Sequence, residues 1–151
     1  MRSLKPSQVR ARILREHSAL RRQLVPLAAL AARLEADGPG VRALALEHVE
    51  GLYRALRDHI DFEDHLLAPA LREIDAWGPV RADELLEHHA RQRLEIAVLA
   101  ERSGAESATG LARLIASLVS DLRADMTHED CDMLSADLLR DDVVLIDAEA
   151  G

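Results

Sequence analysis

Apolar residues recur at alternating intervals of three and four along four long stretches of the chain, a spacing that predicts four amphipathic helices. The second stretch is typical. Its apolar face runs from Ala45 to Leu56 and then continues through two polar residues, His59 and Glu63. Burying a carboxylate in an apolar face is costly unless the charge is paired or binds a metal ion. The pattern therefore requires a helical fold with a compensated polar group in its interior.

The breaks between these stretches are short and rich in Gly, Pro, Asp and Ser, which indicates turns. Pro26 should kink the first helix or loosen one of its turns, and Pro69 should bend or end the second. Short connections predict an all-α, up-down-up-down antiparallel four-helix bundle. The predicted helices span about residues 8–35, 41–67, 79–102 and 111–139.

The length and composition fit one domain with a core of aliphatic side chains. The chain has 151 residues, of which 48% are hydrophobic but only 2% aromatic. Leu, Ala, Val and Ile must therefore fill the core, which suits packing of helix on helix. We expect the bundle to occupy residues 1–140. Residues 141–151 form a short tail, whose apolar run at 143–146 has β character and is expected to lie extended on the bundle.

The charge is negative overall and unevenly distributed. A net charge of −8 argues against a nucleic-acid partner, which needs a basic face. Residues 1–35 hold eight Lys/Arg and two Asp/Glu, whereas residues 121–151 hold ten Asp/Glu and two Arg. The first and fourth helices are neighbours in an up-down bundle, so this asymmetry predicts complementary packing. The alternative is a docking face for a protein partner, whose identity the sequence does not give.

Cys131 is the single cysteine, so the chain can form no internal disulfide and matches no cysteine-based metal pattern. The N-terminal segment is basic but lacks the apolar region of a secretory signal. No stretch approaches the roughly 18 apolar residues of a membrane span, so no membrane partner is expected. The default expectation is a cytoplasmic protein.

Histidines and carboxylates are placed at matching depths in the four predicted helices. His59 precedes Glu63 by four residues, and His128 precedes Asp132 by four, so each pair lies on one helix face. Alternating helix directions bring these pairs to one level with a histidine from each of the other two helices. We therefore predict a metal site in the bundle interior. Its expected ligands are His17, His59, Glu63, His89, His128 and Asp132.

Two inward carboxylates in one layer repel each other unless a cation lies between them. Carboxylates can bridge two metal ions about 3.5–4 Å apart, with imidazoles completing the coordination. Nitrogen and oxygen ligands without sulfur suit iron, with manganese or zinc as alternatives. The sequence thus favours a site for two metal ions, and no residue is assigned a catalytic role or the binding of an organic cofactor.

Several choices remain open at the edges of this site. Periodicity favours His89 over His88 on the third helix, where His88 falls on a charged face. The apolar face of the fourth helix is the least clear, and a rotation by one residue places Glu129 inward instead of His128. Asp125, one turn before His128, is a candidate to orient that ligand. Gln92 lies one turn after His89 and is a candidate neighbour of the site.

Four motifs of the chain are similar to motifs of a known family: Arg15–His17, His59–Pro69, Glu87–His89 and His128–Asp132. On these motifs, residues 10–138 resemble the hemerythrin and HHE cation-binding family. The resemblance implies a four-helix bundle with a non-haem, oxo-bridged centre of two iron ions. It implies imidazole ligation by His17, His59, His89 and His128, and bridging by Glu63 and Asp132.

Two departures from the family pattern bear on function. Oxygen-carrying hemerythrins have a second histidine one turn after the third-helix histidine, where this chain has Arg93, or Gln92 when counted from His88. The fourth-helix acid is Asp132 rather than Glu. We expect a protein that binds or senses dioxygen or another small diatomic ligand such as nitric oxide. The alternatives are an enzyme that turns over peroxide or nitric oxide or donates iron for repair, and a structural or interaction bundle with incidental metal.

Overall fold

A computed structural model describes residues 4–142, which form four long helices, one short helix and no strand. The all-α class expected from the periodicity is confirmed. Gly38, with a φ of 76°, allows the chain to turn before the second helix. The elements are α1 (Pro6–Arg33), α2 (Pro39–Phe62), a π-helical turn (Glu63–Leu67), α3 (Ala68–Ile74), α4 (Gly78–Arg102) and α5 (Ala108–Asp132).

The long helices enclose a core that is divided by a polar layer. α1 packs against α2 and α5, and α4 packs against α2, α3 and α5. One cluster of buried aliphatic side chains extends from Leu20 to Leu34 on α1 and includes their partners on the other helices. A smaller cluster contains Val9 and Ile13 at the other end. The buried polar residue His17 lies between the two clusters along α1, and His89 lies between them along α4.

The second helix continues past the point where Pro69 was expected to bend or end it. The π-helical turn Glu63–Leu67 follows α2 directly, and the N–H of Ala68 donates to the carbonyl of Glu63, five residues back. Proline has no N–H and its ring crowds the carbonyl four residues earlier, so a widened turn lets the helix pass Pro69. π-Helical turns occur often at functional sites, and this one begins at a predicted metal ligand.

Other element ends also differ from expectation. α5 ends at Asp132 rather than near residue 139, because the N–H groups of both Met133 and Leu134 donate to the carbonyl of Glu129 and close the helix. α1 runs unbroken through Pro26. Asp141 accepts hydrogen bonds from the backbone N–H and the hydroxyl of Ser7, 134 residues earlier. The expected extended run at 143–146 lies outside the described residues.

None of the helices within residues 4–142 is both long enough and apolar enough to cross a bilayer.

Candidate metal centre

Five polar side chains from all four long helices and the π-helical turn meet in the layer between the two apolar clusters. None of them is more than 5% exposed. Three are histidines and two are glutamates, so the layer holds both nitrogen and oxygen donors without sulfur. The members are His17, His59, Glu63, His89 and Glu129.

The ring nitrogens of His17 and His59 face each other within this layer. Their Nε2 atoms are 3.1 Å apart. His17 Nε2 is also 3.2 Å from Glu129 Oε2 and 3.5 Å from Glu63 Oε1. One ligand atom from each of these four residues falls within 4.8 Å of the others, which is the spacing of a group that can share one metal ion.

The carboxylate of Glu63 divides its two oxygens between different histidines. Oε1 lies 3.4 Å from His59 Nε2 and 3.5 Å from His17 Nε2. Oε2 lies 2.9 Å from His89 Nε2, on the other side of the carboxylate. Glu63 is fully buried, so both oxygens serve the interior of the bundle. Glu63 thus connects the pair formed by His17 and His59 with His89.

Each inward histidine also contacts a second carboxylate through its other ring nitrogen. An ionised carboxylate only accepts hydrogen bonds, so Nδ1–H donates in each case and Nε2 is the atom that faces the layer. Histidines that bind metals commonly hold their second ring nitrogen in this way. The pairs are His17 with Asp130 (2.6 Å), His59 with Glu16 (2.8 Å) and His89 with Asp64 (2.5 Å).

Two glutamate oxygens in the layer have no hydrogen-bond partner among residues 4–142. They are Oε1 of Glu63 and Oε1 of Glu129, and both are buried. An unsatisfied buried acceptor costs roughly 1–3 kcal/mol, and more when it is charged. A cation between these oxygens and the inward Nε2 atoms removes that cost. The layer residues therefore fit a metal ion that is bound by nitrogen and oxygen ligands.

The pKa values of these groups reflect the strong coupling within the layer. Burial disfavours the charged imidazolium, yet hydrogen bonds and attraction to Glu129 and Glu63 raise the pKa of His17 to about 10. Burial also lowers the pKa of His89, but hydrogen bonds to Asp64 and Glu63 outweigh burial and raise this pKa to about 9. Burial and the charge of Glu63 raise the pKa of Glu129. Without metal, protons therefore stay on the histidine nitrogens and on Glu129. A metal ion must displace these protons before it can bind there.

His128 and Asp132 do not reach this layer. Their side chains are 36% and 60% exposed, and His128 Nδ1 lies 2.7 Å from Asp132. His128 Nε2 lies 3.0 Å from a carboxylate oxygen of Glu84 on α4. The expected inward placement of His128 and Asp132 is therefore wrong. Glu129 points inward instead, because its position continues the spacing of Leu118, Leu122 and Asp125, all of which are buried.

The sequence contains a signal for Glu129 in the form of an imperfect internal repeat. Glu63-Asp64 on one helix and Glu129-Asp130 on another are separated by 66 residues. The same offset of 66 residues aligns buried core positions of the two segments and aligns Asp125 with His59. An offset of 72 residues likewise pairs His17 with His89. Core pairs at the first offset are Val49 and Ile115, Leu52 and Leu118, Leu56 and Leu122, and Leu67 and Met133.

The remaining candidates lie around the layer. His89 is the inward histidine of α4, whereas His88 is half-buried and packs its ring against that of His128, with centroids 5.6 Å apart. Asp125 is 8% exposed and accepts hydrogen bonds from Gln92 Nε2 at 2.9 Å and from Arg91, rather than from His128. Gln92 is thus buried beside the layer and is held by Asp125.

A small hollow leads from the surface to the edge of the layer. Its volume is about 180 Å³, and His59, Glu16 and Arg12 are among its lining residues. A larger hollow of about 620 Å³ lies elsewhere, between α1 and α5, and none of the five layer residues lines it. The smaller hollow is therefore the one relevant to a small ligand that approaches His59.

The comparisons with known proteins agree with this geometry. The family model described as the hemerythrin HHE cation binding domain matches residues 8–136. The chain therefore belongs to the hemerythrin HHE cation-binding family. Neither the comparison with curated proteins nor the comparison with solved structures gave a match.

Proposed function

We propose that this chain is a non-haem di-iron protein that binds or senses dioxygen or nitric oxide through a carboxylate-bridged centre. The observation that carries the proposal is the division of Glu63, with Oε1 facing His17 and His59 and Oε2 facing His89. One carboxylate that serves two separate groups of imidazoles suits two metal ions better than one.

The residues of the layer have distinct roles in this proposal. His17 and His59 would hold one ion with Oε1 of Glu63, and His89 would hold the other with Oε2. Glu129, whose Oε2 lies 3.2 Å from His17 Nε2, would help to hold the ions. Bound iron supplies the electrons that a diatomic ligand needs for reversible binding. The aliphatic clusters on both sides keep bulk water out of the layer.

Three further features belong to the proposal. The mutual packing of the long helices and their short connections support the up-down-up-down antiparallel order. The bundle is proposed to occupy residues 1–140, with residues 141–151 as a tail. A cytoplasmic location remains a prediction from the sequence.

The decisive experiment is metal analysis together with an optical spectrum of protein purified in air. About two irons per chain and near-ultraviolet oxo-to-iron charge-transfer bands are expected. Dioxygen or nitric oxide added to the reduced protein under anaerobic conditions should shift the spectrum. Asp132→Asn is the control variant and should behave as the wild type. A preparation that holds no iron when supplied with it contradicts the proposal.

A second candidate function is an enzyme that turns over peroxide or nitric oxide. The observation in its favour is the position of Asp125, which the internal repeat pairs with His59. One half of the layer thus has two inward histidines and the other has only His89. Fewer nitrogen ligands leave open coordination positions, which permit chemistry.

Single-turnover assays with peroxide and with nitric oxide separate this candidate from simple binding. We expect Asp125→His to fill the open position, slow any turnover and tighten binding of the second metal ion. Asp121→His, one turn away on the same helix, is the matched control. Rates no higher than those of free iron exclude turnover of peroxide or nitric oxide. Failure to transfer iron to an acceptor protein excludes iron donation.

A further inference from the structure

Each carboxylate that orients a layer histidine is itself bound by an arginine. In every case one carboxylate oxygen accepts from the imidazole and the other accepts from the guanidinium. We refer to these groups as the His–carboxylate–Arg triads. They are His17–Asp130–Arg21, with an arginine contact of 2.6 Å, His89–Asp64–Arg93, at 2.7 Å, and His59–Glu16–Arg12, at 2.7 Å.

Two of the triads are built to the same plan. Arg21 follows His17 by four residues, and Arg93 follows His89 by four residues. The carboxylate comes from another helix in both triads, and in both it is the Asp that directly follows an inward Glu. The internal repeat therefore extends beyond the buried layer to the arginines. Isolated surface ion pairs contribute little and have no reason to recur with one geometry.

The side chain of Arg93 points away from the layer and contacts two aspartates. Arg93 lies one turn after His89 on α4. In this chain Arg93 extends to Asp64 at 2.7 Å and Asp61 at 2.9 Å instead of entering the layer. The position thus contributes to the orientation of His89 rather than to the ligand set.

We propose that Arg21 and Arg93 are positioning residues that hold the Nε2 atoms of His17 and His89 toward the centre. The guanidinium fixes one oxygen of the Asp, so the other oxygen stays where the imidazole Nδ1–H can donate to it. Without the arginine, the carboxylate gains rotamer freedom and the ring loses its fixed orientation. This proposal rests on the proposed function to the extent that the centre binds metal.

The test compares Arg21→Gln and Arg93→Gln with the conservative variants Arg21→Lys and Arg93→Lys. Arg54→Gln is the matched control, because Arg54 pairs with Glu50 on the helix surface and is 71% exposed. The first measurement is affinity for Co²⁺ by competition with a chelator. Loss of a partner that orients a metal-binding histidine typically costs 10–100-fold in affinity. We expect a loss of about 10-fold in the Gln variants and partial recovery in the Lys variants.

The second measurement does not depend on metal binding. Exchange of the imidazole Nδ1 protons with solvent is followed by nuclear magnetic resonance in the metal-free and Zn²⁺-loaded forms. Arg21→Gln should accelerate exchange at His17 alone, and Arg93→Gln should accelerate exchange at His89 alone. A purely structural role predicts equal acceleration at both histidines and no recovery with Lys.

The possible outcomes separate the two proposals. If the wild type binds no metal ion, the proposed function fails, and selective proton exchange still decides the role of the arginines. If metal binds and the Gln variants leave both Nδ1 protons and the Co²⁺ affinity unchanged, the positioning role is overturned and the proposed function stands. The arginines are 36% and 41% exposed, so the variants are expected to fold.

Discussion

A buried imidazole in this protein uses its two nitrogens for different purposes. Nδ1–H of His17, His59 and His89 donates outward to a carboxylate, and Nε2 points into the layer. The outward hydrogen bond offsets part of the desolvation cost and fixes which nitrogen carries the proton. Because all three rings are oriented in this way, the inner surface of the layer consists of their Nε2 atoms and the oxygens of Glu63 and Glu129.

Glu129 rather than Asp132 is expected to be the carboxylate of α5 that binds metal. Glu129→Gln keeps the size of the side chain and removes its charge, so affinity for Co²⁺ should fall by about 100-fold or more, beyond the effect of losing an orienting partner. Asp132→Asn makes the same chemical change at a position 60% exposed and should leave affinity within about twofold, since exposed pairs contribute little. Competition with a chelator measures both. Equal losses in the two variants contradict the assignment of Glu129.

The metal-free protein should lose stability as the pH rises from about 6.5 toward 9 or 10. The pKa of His17 is raised to about 10 and that of His89 to about 9, both from 6.5. A raised folded-state pKa contributes stability that is complete below the unfolded value and disappears as the pH rises through the folded value. Urea unfolding at pH 6, 7.5 and 9 measures the decline.

The neighbouring histidine supplies the control for this pH dependence. His89→Gln should flatten the decline, whereas His88→Gln should leave it unchanged, because His88 lies outside the layer. A metal-free wild type whose free energy of unfolding rises or stays constant over this range contradicts the coupling of the histidines to the two glutamates.

At the scale of single residues, the sequence predicted four members of the layer and left the fifth open between His128 and Glu129. His17, His59, Glu63 and His89 interrupt apolar faces, and the structure brings these four together. The face of α5 is harder to read because acidic residues occupy several successive positions there, so the spacing of apolar residues stops before Glu129. The outer carboxylates and arginines depend on contacts between helices, which spacing along one helix does not reveal.

The helices are adjusted where they carry the two inward glutamates. The carbonyl of Glu63 accepts from the N–H of Ala68, and the carbonyl of Glu129 accepts from the N–H of Leu134, five residues ahead in both cases. The internal repeat is therefore visible in the backbone as well as in the side chains. Beyond Glu63 the chain continues as α3, whereas beyond Glu129 it leaves the helix after Asp132.

Gly78 is expected to be indispensable for the close approach of α4 to the end of α3. A Cβ atom at Gly78 would lie 2.0 Å from the carbonyl oxygen of Leu71, so the backbone of one element would have to move. Gly78→Ala should destabilise the protein by about 2 kcal/mol or more, as overpacking commonly does. Gly51→Ala is the matched control, since nothing lies within 4 Å of its added Cβ.

Gly51 lies inside α2, where alanine is favoured over glycine by roughly 0.5–1 kcal/mol. The control should therefore stabilise the protein slightly. Chemical denaturation of the two variants beside the wild type gives both values. Equal stability of the two variants contradicts the contact between Gly78 and Leu71.

At the scale of the elements, periodicity predicted which segments are helical but not how they end. The four expected long helices are present, and Pro26 lies within one of them without breaking it. The π-helical turn and the early end of α5 are set by backbone hydrogen bonds to Glu63 and Glu129. Such bonds leave no mark in the spacing of apolar residues, so sequence patterns alone do not predict them.

The molecule as a whole places a charged layer between two apolar clusters, and the basic first helix lies against the acidic fifth. The expected complementary packing is visible in the ion pair between Arg21 and Asp130 and in the hydrogen bond from Arg10 to the carbonyl of Leu134. The buried layer is less well balanced, since Glu63 and Glu129 retain unpartnered oxygens. The stability of the whole bundle should therefore depend on what occupies the layer.

Removal of metal should lower the melting temperature of the protein. A ligand at 100 times its dissociation constant stabilises the folded state by about 2.7 kcal/mol, which corresponds to roughly 5–10 °C for a domain of this size. Scanning calorimetry before and after treatment with a chelator measures the change, and metal added back should restore it. An unchanged melting temperature supports a structural bundle with incidental metal over the proposed function.

The internal repeat also means that the molecule carries its own comparison. His17 and His89, Glu63 and Glu129, and Arg21 and Arg93 are counterparts in one fold, at one temperature and in one solvent. Substituting first one member of a pair and then the other measures how a single chemical group performs in two related settings. His59 and Asp125 are an unequal pair, and Glu16 and Arg12, which hold His59, align with His88 and Glu84. A difference in behaviour between the two halves therefore reports on the exchange of this whole group.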